Sequence, residues 1–337
     1  MTFLGLRFPV LLLFFLAIPF LWFLWIGIYA ISPGPPSATK QIEVVIPSST
    51  SLSAIKKILA ENKVIEDDPR FSMLVMLTGS AAKLRAGEYA FKPGNKPLEV
   101  IELLKNGKVL YRSVTIPEGT DMTKVAEILA ADGWVDLQRF LDLARAPEML
   151  ESLGVHADSL EGYLFPDTFY LSRGQQDEAE IIRMMVARHF QVFNDIVQNT
   201  GNDLPTVSHH EIITLASIVE KETGNPEERQ LVASVFLNRL ERGMRLQADP
   251  TVRYGLKDAA GSLTKKELKN STPYNTYTMF GLPPGPITNP GKASIEAVIS
   301  PAKTDYLYFV AKDKTSHHFS RNLEEHNRAI LKYRKSK

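Results

Sequence analysis

No charged side chain occurs between Phe8 and Thr39, and FPVLLLFFLAIPFLWFLWIGIYAI, from Phe8 to Ile31, is apolar throughout. At ~1.5 Å per residue a helix over this stretch spans the ~30 Å hydrocarbon core of a bilayer with some tilt. Pro19 lies inside it, a position tolerated in membrane spans where neighbouring groups re-satisfy the backbone. Trp22, Trp25 and Tyr29 crowd its distal end, as interfacial aromatics do. A cleaved signal peptide has a shorter apolar region of about 7–15 residues and a small-x-small site, which is not evident here. A retained single-pass anchor is therefore the expectation. Arg7 and the free amine mark residues 1–7 as a cytoplasmic tip, and the positive-inside rule sends everything after Ser32 across the membrane.

The other 300 or so residues are enough for about two domains. A formal net charge of +1 in 337 residues builds in no pull toward nucleic acid. The chain has no cysteine, which excludes a disulfide framework, a thiolate nucleophile and a thiolate metal site. His317, His318 and His326 lie close in sequence but lack metal-site spacing, because neighbours on a strand point to opposite faces. No motif implies a cofactor or a metal.

SPGPPSATK, Ser32 to Lys40, reads as a Pro/Gly/Ser linker that spaces the folded part from the bilayer. An internal similarity follows. VIPSSTSLSAIKKILAENKV (Val45 to Val64) and TIPEGTDMTKVAEILAADGW (Thr115 to Trp134) run in register. Each predicts a strand ended by Ile-Pro, a capped turn and an amphipathic helix. A weaker third echo spans Tyr89 to Val109. Pro47, Thr50, Leu52 and Ile55 resemble the opening of LysM glycan-binding modules, although any strand-turn-helix spacer has similar caps. The expected layout is an α+β protein: anchor at 8–31, linker at 32–40, small LysM-like α/β module at 41–115, and mixed α+β domain with long loops at 116–337.

In the last part, Met122 to Gly154 is helical with a break at Pro147, and EGYLFPDTFYLSRG interrupts the pattern with aromatics. Helices resume over Asp177 to about Val197, His209 to Thr223 and Pro226 to Gly243. A hairpin over Asp305 to Ser320 and a basic helix over Asn322 to Lys335 complete the chain. In LASIVEKETG, Leu215 to Gly224, two glutamates interrupt an apolar pattern. On a wheel of about 100° per residue, Ile212, Leu215, Ala216 and Val219 form the buried face, with Thr214, Ser217 and Lys221 opposite. Glu220 falls on one shoulder and Glu222 on the other. A carboxyl pressed against apolar groups holds its proton more tightly, the requirement for a general acid in glycosidic cleavage. The wheel does not choose between the two, and Lys221, Arg229 and Arg239 could instead make either an ordinary ion pair. GMRLQADPTVRYG (Gly243 to Gly255) and STPYNTYTMFGLPPGPITNPG (Ser271 to Gly291) are long and non-periodic, as binding loops are. Their amides, hydroxyls and tyrosines, with Gln247, Asp249, Thr251, Asn275, Thr276 and Asn289 among them, suit an uncharged polyhydroxylated ligand such as a sugar chain.

LASIVEKETG, NRLERGMRLQADPTVRYG, TPYNTYTMFGLPPGPITNPG and PAKTDYLYFVAKDKTSHHFSRNLEEHN together resemble the signature blocks of the YceG-like endolytic murein transglycosylases, as does LEGYLFPDTFYL. The likeness runs from roughly Gln41 to His326. It implies non-hydrolytic cleavage of the MurNAc–GlcNAc bond within nascent peptidoglycan strands, leaving 1,6-anhydro-MurNAc ends and terminating glycan elongation. It implies an inner-membrane protein with a periplasmic catalytic domain, peptidoglycan strands as partner and peptidoglycan synthases as neighbours. Glu220 matches the family's catalytic glutamate. Glu222, Gln247, Tyr254, Tyr274 and Asn275, with Asp249 beside them, match motif positions for holding the sugar. Two alternatives stay open: a hydrolase pairing Glu220 with Asp249, and a glycan-binding membrane scaffold.

Overall fold

The computed structural model describes residues 7–36, 40–200, 207–256, 263–313 and 315–334, with side chains from Leu16 onward and excluding residue 334. The chain is a mixed α+β protein of short helices and two-stranded sheets. It divides into two compact units, one formed by 1–113 with 170–177 and the other by 114–169 with 178–337.

In the first unit, helix α1 (Arg7–Ile31) continues through Pro19. Leu16, Ile18, Phe20 and Phe23 are exposed along it, while Ile26, Tyr29 and Ala30 enter the unit's core. Among the described residues, no helix is long and apolar enough to cross a membrane. Strand β1 (Ile42–Ile46) pairs antiparallel with β2 (Gly87–Phe91), Ile42 opposite Phe91 and Ile46 opposite Gly87. Between them lie α2 (Leu52–Glu61) and α3 (Pro69–Leu77), and α4 (Pro97–Asn106) follows. Asp68 caps α3 through the Arg70 amide, with Pro69 at the first helical position where its missing N–H costs nothing. Arg70 in turn lies 4.9 Å from the Trp25 ring and 4.6 Å from Tyr29, seating α1 on α3. The segment expected as a linker is bonded to the unit near its start. Gly34 N–H donates to Asn95 O at 3.2 Å, and a Cβ on Gly34 would meet Asn95 O at 2.7 Å and Val64 O at 2.8 Å.

The chain leaves this unit along β3 (Arg112–Thr115) and re-enters it along β4 (Thr168–Leu171). The returning segment is bonded in: Glu88 N–H donates to Ser172 Oγ at 3.0 Å and Ser48 N–H to Gly174 O at 2.8 Å. A division drawn along the sequence at residue 115 does not include this excursion, because Tyr170 to Asp177 is far away in sequence.

The second unit carries α5 (Met122–Ala131), α6 (Leu137–Leu143), α7 (Pro147–Ser152), α8 (Glu178–Thr200), α9 (His209–Glu222), α10 (Arg229–Glu241), α11 (Asp249–Leu256) and α12 (Lys292–Ile299). A hairpin of β5 (Tyr308–Ala311) and β6 (His317–Ser320) leads to α13 (Leu323–Arg334). The core is built on α9, α10 and α12, with Ile213, Ala216, Val232, Phe236 and Val298 at or below 1% exposure. The stretch Gly243 to Gly255, expected as loop, contains α11. Asp249 stands in its first turn with Pro250 next to it, the favourable order for a helix start, although no hydrophobic period precedes it.

The sequence repeat is a structural one. Thr50 Oγ1 donates to Pro47 O and Thr120 Oγ1 to Pro117 O, both at 2.6 Å. Ser51 and Asp121 cap α2 and α5 through the amide three residues on. Ser49 and Gly119 occupy the same left-handed turn position, at φ 60° and 71°.

Candidate active site

The site forms around the C-terminal end of α9. Ser208 and Glu211 close a reciprocal capping box at its start, satisfying amides that the helix leaves open. The helix is buried nearly all round, since Thr214 is 1% and Ser217 0% exposed where the wheel expected a polar face. Their hydroxyls bond locally: Thr214 Oγ1 donates to His210 O, and Ser217 Oγ donates to Thr214 O and accepts from Ile287 N–H. Short hydroxyl side chains that satisfy themselves on backbone carbonyls can enter a core, so polarity was a poor guide to the exposed face.

The two glutamates emerge from this packed helix into different surroundings. Glu220, its side chain 7% exposed, accepts from Gly291 N–H at 3.0 Å and lies 3.6 Å from Arg229 Nη2. Gly291 is the N-cap of α12, so the positive end of that helix faces the carboxylate. The same Nη2 is 3.9 Å from Glu118, in the turn between β3 and α5. Lys221 Nζ donates to Gly119 O and draws that turn against the end of α9. Of the possible partners, Arg229 therefore pairs with Glu220. Arg239 is buried with its guanidinium donating to the Leu307 and Leu246 carbonyls.

Glu222 faces a different pair of charged groups, Asp249 and Arg239. Burial pushes its carboxyl up to about 8, with the negative charge of Asp249 adding to the effect and Arg239 opposing it. Asp249 accepts from Tyr277 O–H at 2.6 Å. The acidic neighbour of Asp249 is thus Glu222, and the carboxyl across Arg229 from Glu220 is Glu118, which motif spacing did not bring forward.

The remaining loop residues divide into those that shape the site and those that face outward. Asn275 is 0% exposed, its Nδ2 donates to Leu268 O and Asn270 O, and its Oδ1 accepts from Tyr277 N–H. Thr251 and Thr276, also 0% exposed, bond to each other and to Ala248. These side chains hold the loops together rather than offering bonds to a sugar. Gln247 is exposed at φ 50°, a left-handed conformation uncommon for a non-glycine residue, with its N–H on Thr276 O. Tyr254 and Tyr274 pack with ring centroids 4.8 Å apart.

Asn289, 0% exposed, ties three segments into one piece. Its Oδ1 accepts from Leu164 N–H at 2.9 Å, its Nδ2 donates to Thr120 O at 2.8 Å, its N–H donates to Thr120 O at 3.0 Å, and its carbonyl accepts from Gly119 N–H at 3.0 Å. Tyr163, Phe165 and Phe169 of LEGYLFPDTFYL are buried and Tyr170 is 64% exposed, so most of these aromatics are core. Tyr163 meets a histidine cluster that sequence spacing did not reveal. His210 Nε2 donates to Pro284 O, which leaves Nδ1 to accept from Tyr163 O–H, both at 2.9 Å. His189 and His209 share a 3.0 Å Nε2–Nε2 hydrogen bond, and burial pushes them down to about 3 and about 4. Among the described residues, no group of three or more His, Cys, Asp or Glu could hold a metal ion.

Glu161, 4% exposed, accepts from Met122 N–H at the start of α5 and from Tyr254 O–H. Burial outweighs these bonds and pushes its carboxyl up to about 8. The fold thus favours the protonated form, and the unfolded state releases its proton near the ordinary value of 4.5. Stability falls as pH rises through that window. The melting temperature is expected to drop between pH 5 and pH 8, and to drop less in Glu161→Gln. Equal slopes in the two proteins, measured by thermal melts across that range, would contradict this assignment.

Glu220 is thus a carboxylate near a helix end, held between a guanidinium and a backbone amide. The chain belongs to the YceG-like family, whose model matches residues 44–332. An endolytic murein transglycosylase of Bacillus subtilis is 34% identical over 91% of this chain and 89% of its own length. An endolytic murein transglycosylase of Streptococcus pneumoniae is 28% identical over 90% of this chain, which spans 60% of that relative. The crystal structure of a putative YceG-like protein from Listeria monocytogenes superposes with a TM-score of 0.58 at 34% identity, covering 86% of this chain and 98% of the other.

Proposed function

We propose that this protein is an endolytic murein transglycosylase, a lyase that cuts the MurNAc–GlcNAc bond within peptidoglycan strands and leaves 1,6-anhydro-MurNAc ends. The observation that carries the reading is the seat of Glu220, a single low-exposure carboxyl with counter-charges already in place. Protonated Glu220 donates to the leaving glycosidic oxygen. As carboxylate it is stabilised by Gly291 N–H and Arg229 while it takes the proton of the muramyl 6-hydroxyl, whose oxygen closes on C1. The proton count balances without water, so one carboxyl serves twice. Hydrolases instead use a second carboxylate to activate water or to attack. Tyr254, Tyr274, Gln247, Asp249 and Glu222 are assigned to holding the sugar, and Asn275 to shaping the loop around it.

The reading extends to placement in the cell. α1 anchors the chain in the inner membrane with its N-terminus inside, and the remainder is periplasmic, beside the synthases that make the strands this enzyme terminates. Support comes from the uncharged run Phe8 to Ile31 and from the apolar side chains exposed between Leu16 and Ile31. The β1-α2-α3-β2 arrangement, with its Pro47 turn and capped α2, supports a LysM-like glycan-binding role for the first unit. Mass spectrometry of glycan strands incubated with the full-length protein in detergent tests the chemistry. Products lighter by one water than hydrolytic ends are expected, and reducing ends would replace this reading with a hydrolase. For the anchor, the protein should stay with membranes through alkaline washing, and release by that wash would refute it.

A further inference from the structure

We propose that Glu118 is a positioning residue for the proton chemistry of Glu220: its carboxylate, set across the Arg229 guanidinium, keeps on Glu220 the proton that the leaving oxygen needs. The inference rests on the assignment of Glu220 as the acid.

The reason lies in a conflict of duties. A general acid must hold a proton before it gives one away, yet the two groups in contact with Glu220, Gly291 N–H and Arg229, both favour the bare carboxylate. A negative charge close by works the other way. Glu118 supplies it, because the same Nη2 of Arg229 lies 3.6 Å from Glu220 and 3.9 Å from Glu118, so the guanidinium is shared. The coupling is visible from the other side as well: the Glu118 carboxyl is held above its ordinary value by partial burial and then by the charge of Glu220, with Arg229 opposing. Around the pair stand Glu220 and Lys221 from α9, Arg229 from α10 and Glu118 from the β3–α5 turn, with the Gly291 amide at the start of α12.

Two independent features place Glu118 here for chemistry rather than for folding. The first is the internal repeat. Ser48 occupies the corresponding position in the first copy, where the turn has the same Thr-to-Pro hydrogen bond and the same left-handed residue after it. The turn is made without a carboxylate, so Glu118 is an addition of the copy that faces Glu220. The second is Gly291. The Glu118 carboxyl passes directly over it, where a Cβ would meet the flexible end of that side chain, so the glutamate lies beside the amide that donates to Glu220. Arg229 Nε is buried without a hydrogen-bond partner among the described residues, and Nη2 is the atom that both carboxylates approach.

The test is the pH dependence of kcat/KM for anhydro-end formation by full-length wild type, Glu118→Gln and Glu118→Asp on uncleaved strands. Glu118 is half exposed, so both variants are expected to melt with the wild type. Removing its charge releases the proton of Glu220 at lower pH. The ratio of Glu118→Gln to wild type should fall about threefold between pH 3.5 and pH 8, a range that includes the ordinary carboxylate window, while Glu118→Asp, which keeps the charge, holds a flat ratio. A Glu118→Gln ratio that is constant with pH, whether near one or far below it, overturns the proposal, since a steric or binding role has no reason to follow protonation. Wild type that makes no anhydro ends at any pH refutes the functional reading itself, and with it this inference. Wild type that makes reducing ends, abolished in Glu118→Gln at all pH values, makes Glu118 the base of a hydrolase and overturns the proposal too.

Discussion

Glu220→Gln should lose roughly 10²–10⁴-fold or more of its anhydro-end formation, the scale of a lost general acid, while the folded protein and its binding to glycan survive. The amide keeps the shape of the side chain and can still accept from Gly291 N–H with its oxygen. Arg229 loses one carboxylate but retains Glu118, so it is not left as an isolated charge in a poorly hydrated place. What the amide cannot do is give a proton and take one back. Product analysis by mass spectrometry, with melting temperature and co-sedimentation with strands as controls, separates these effects. A variant that cleaves at the wild-type rate removes Glu220 from the mechanism. Glu222→Gln is the useful companion, because burial pushes that carboxyl up to about 8. A larger loss there than at Glu220 would move the acid to the other shoulder of the helix.

Asn289→Ala is expected to cost about 2–4 kcal/mol of stability, from Leu164 N–H left without its acceptor, a lost bond to Thr120 O and a small cavity. Activity should fall with it, since the backbone and side chain of Asn289, together with Lys221, hold the turn bearing Glu118 and Gly119. Asn289→Asp is the sharper variant. It retains an acceptor for Leu164 but removes the donor to Thr120 and buries a charge, so it should be no more stable than the alanine protein. Urea unfolding reports the first effect. Midpoints equal to wild type in both variants would show that the three segments are held by other contacts.

The helices were legible wherever one face was apolar and the ends carried caps: α9 starts at His209, where the pattern predicted it, and the hairpin of β5 and β6 lies inside the expected stretch. α11 was missed, because Asp-Pro at its start and Gly255 near its end read as loop chemistry when no hydrophobic period reinforces them. At the site, periodicity placed Glu220 and Glu222 on opposite shoulders, and that separation holds: one meets Arg229, the other Asp249 and Arg239. Their environments were not legible, since Arg229, Glu118 and Gly291 come from three other segments and a helical wheel carries no information about them. The polar loop residues were legible as a group but not one by one. Asn275 and Tyr254 have similar polarity on paper, yet one is wholly consumed by its own loop and the other reaches Glu161.

The excursion of the chain out of the first unit and back has a bearing on how the molecule is made. Synthesis delivers residues in order, and the strip from Tyr170 to Asp177 emerges long after β1 and β2 could have paired. Until it arrives, Glu88 N–H lacks Ser172 and Ser48 N–H lacks Gly174. The first unit is therefore completed late, by a segment that arrives only after β3 through β4 has been made, and a chain halted before Asp177 would leave that unit without these bonds.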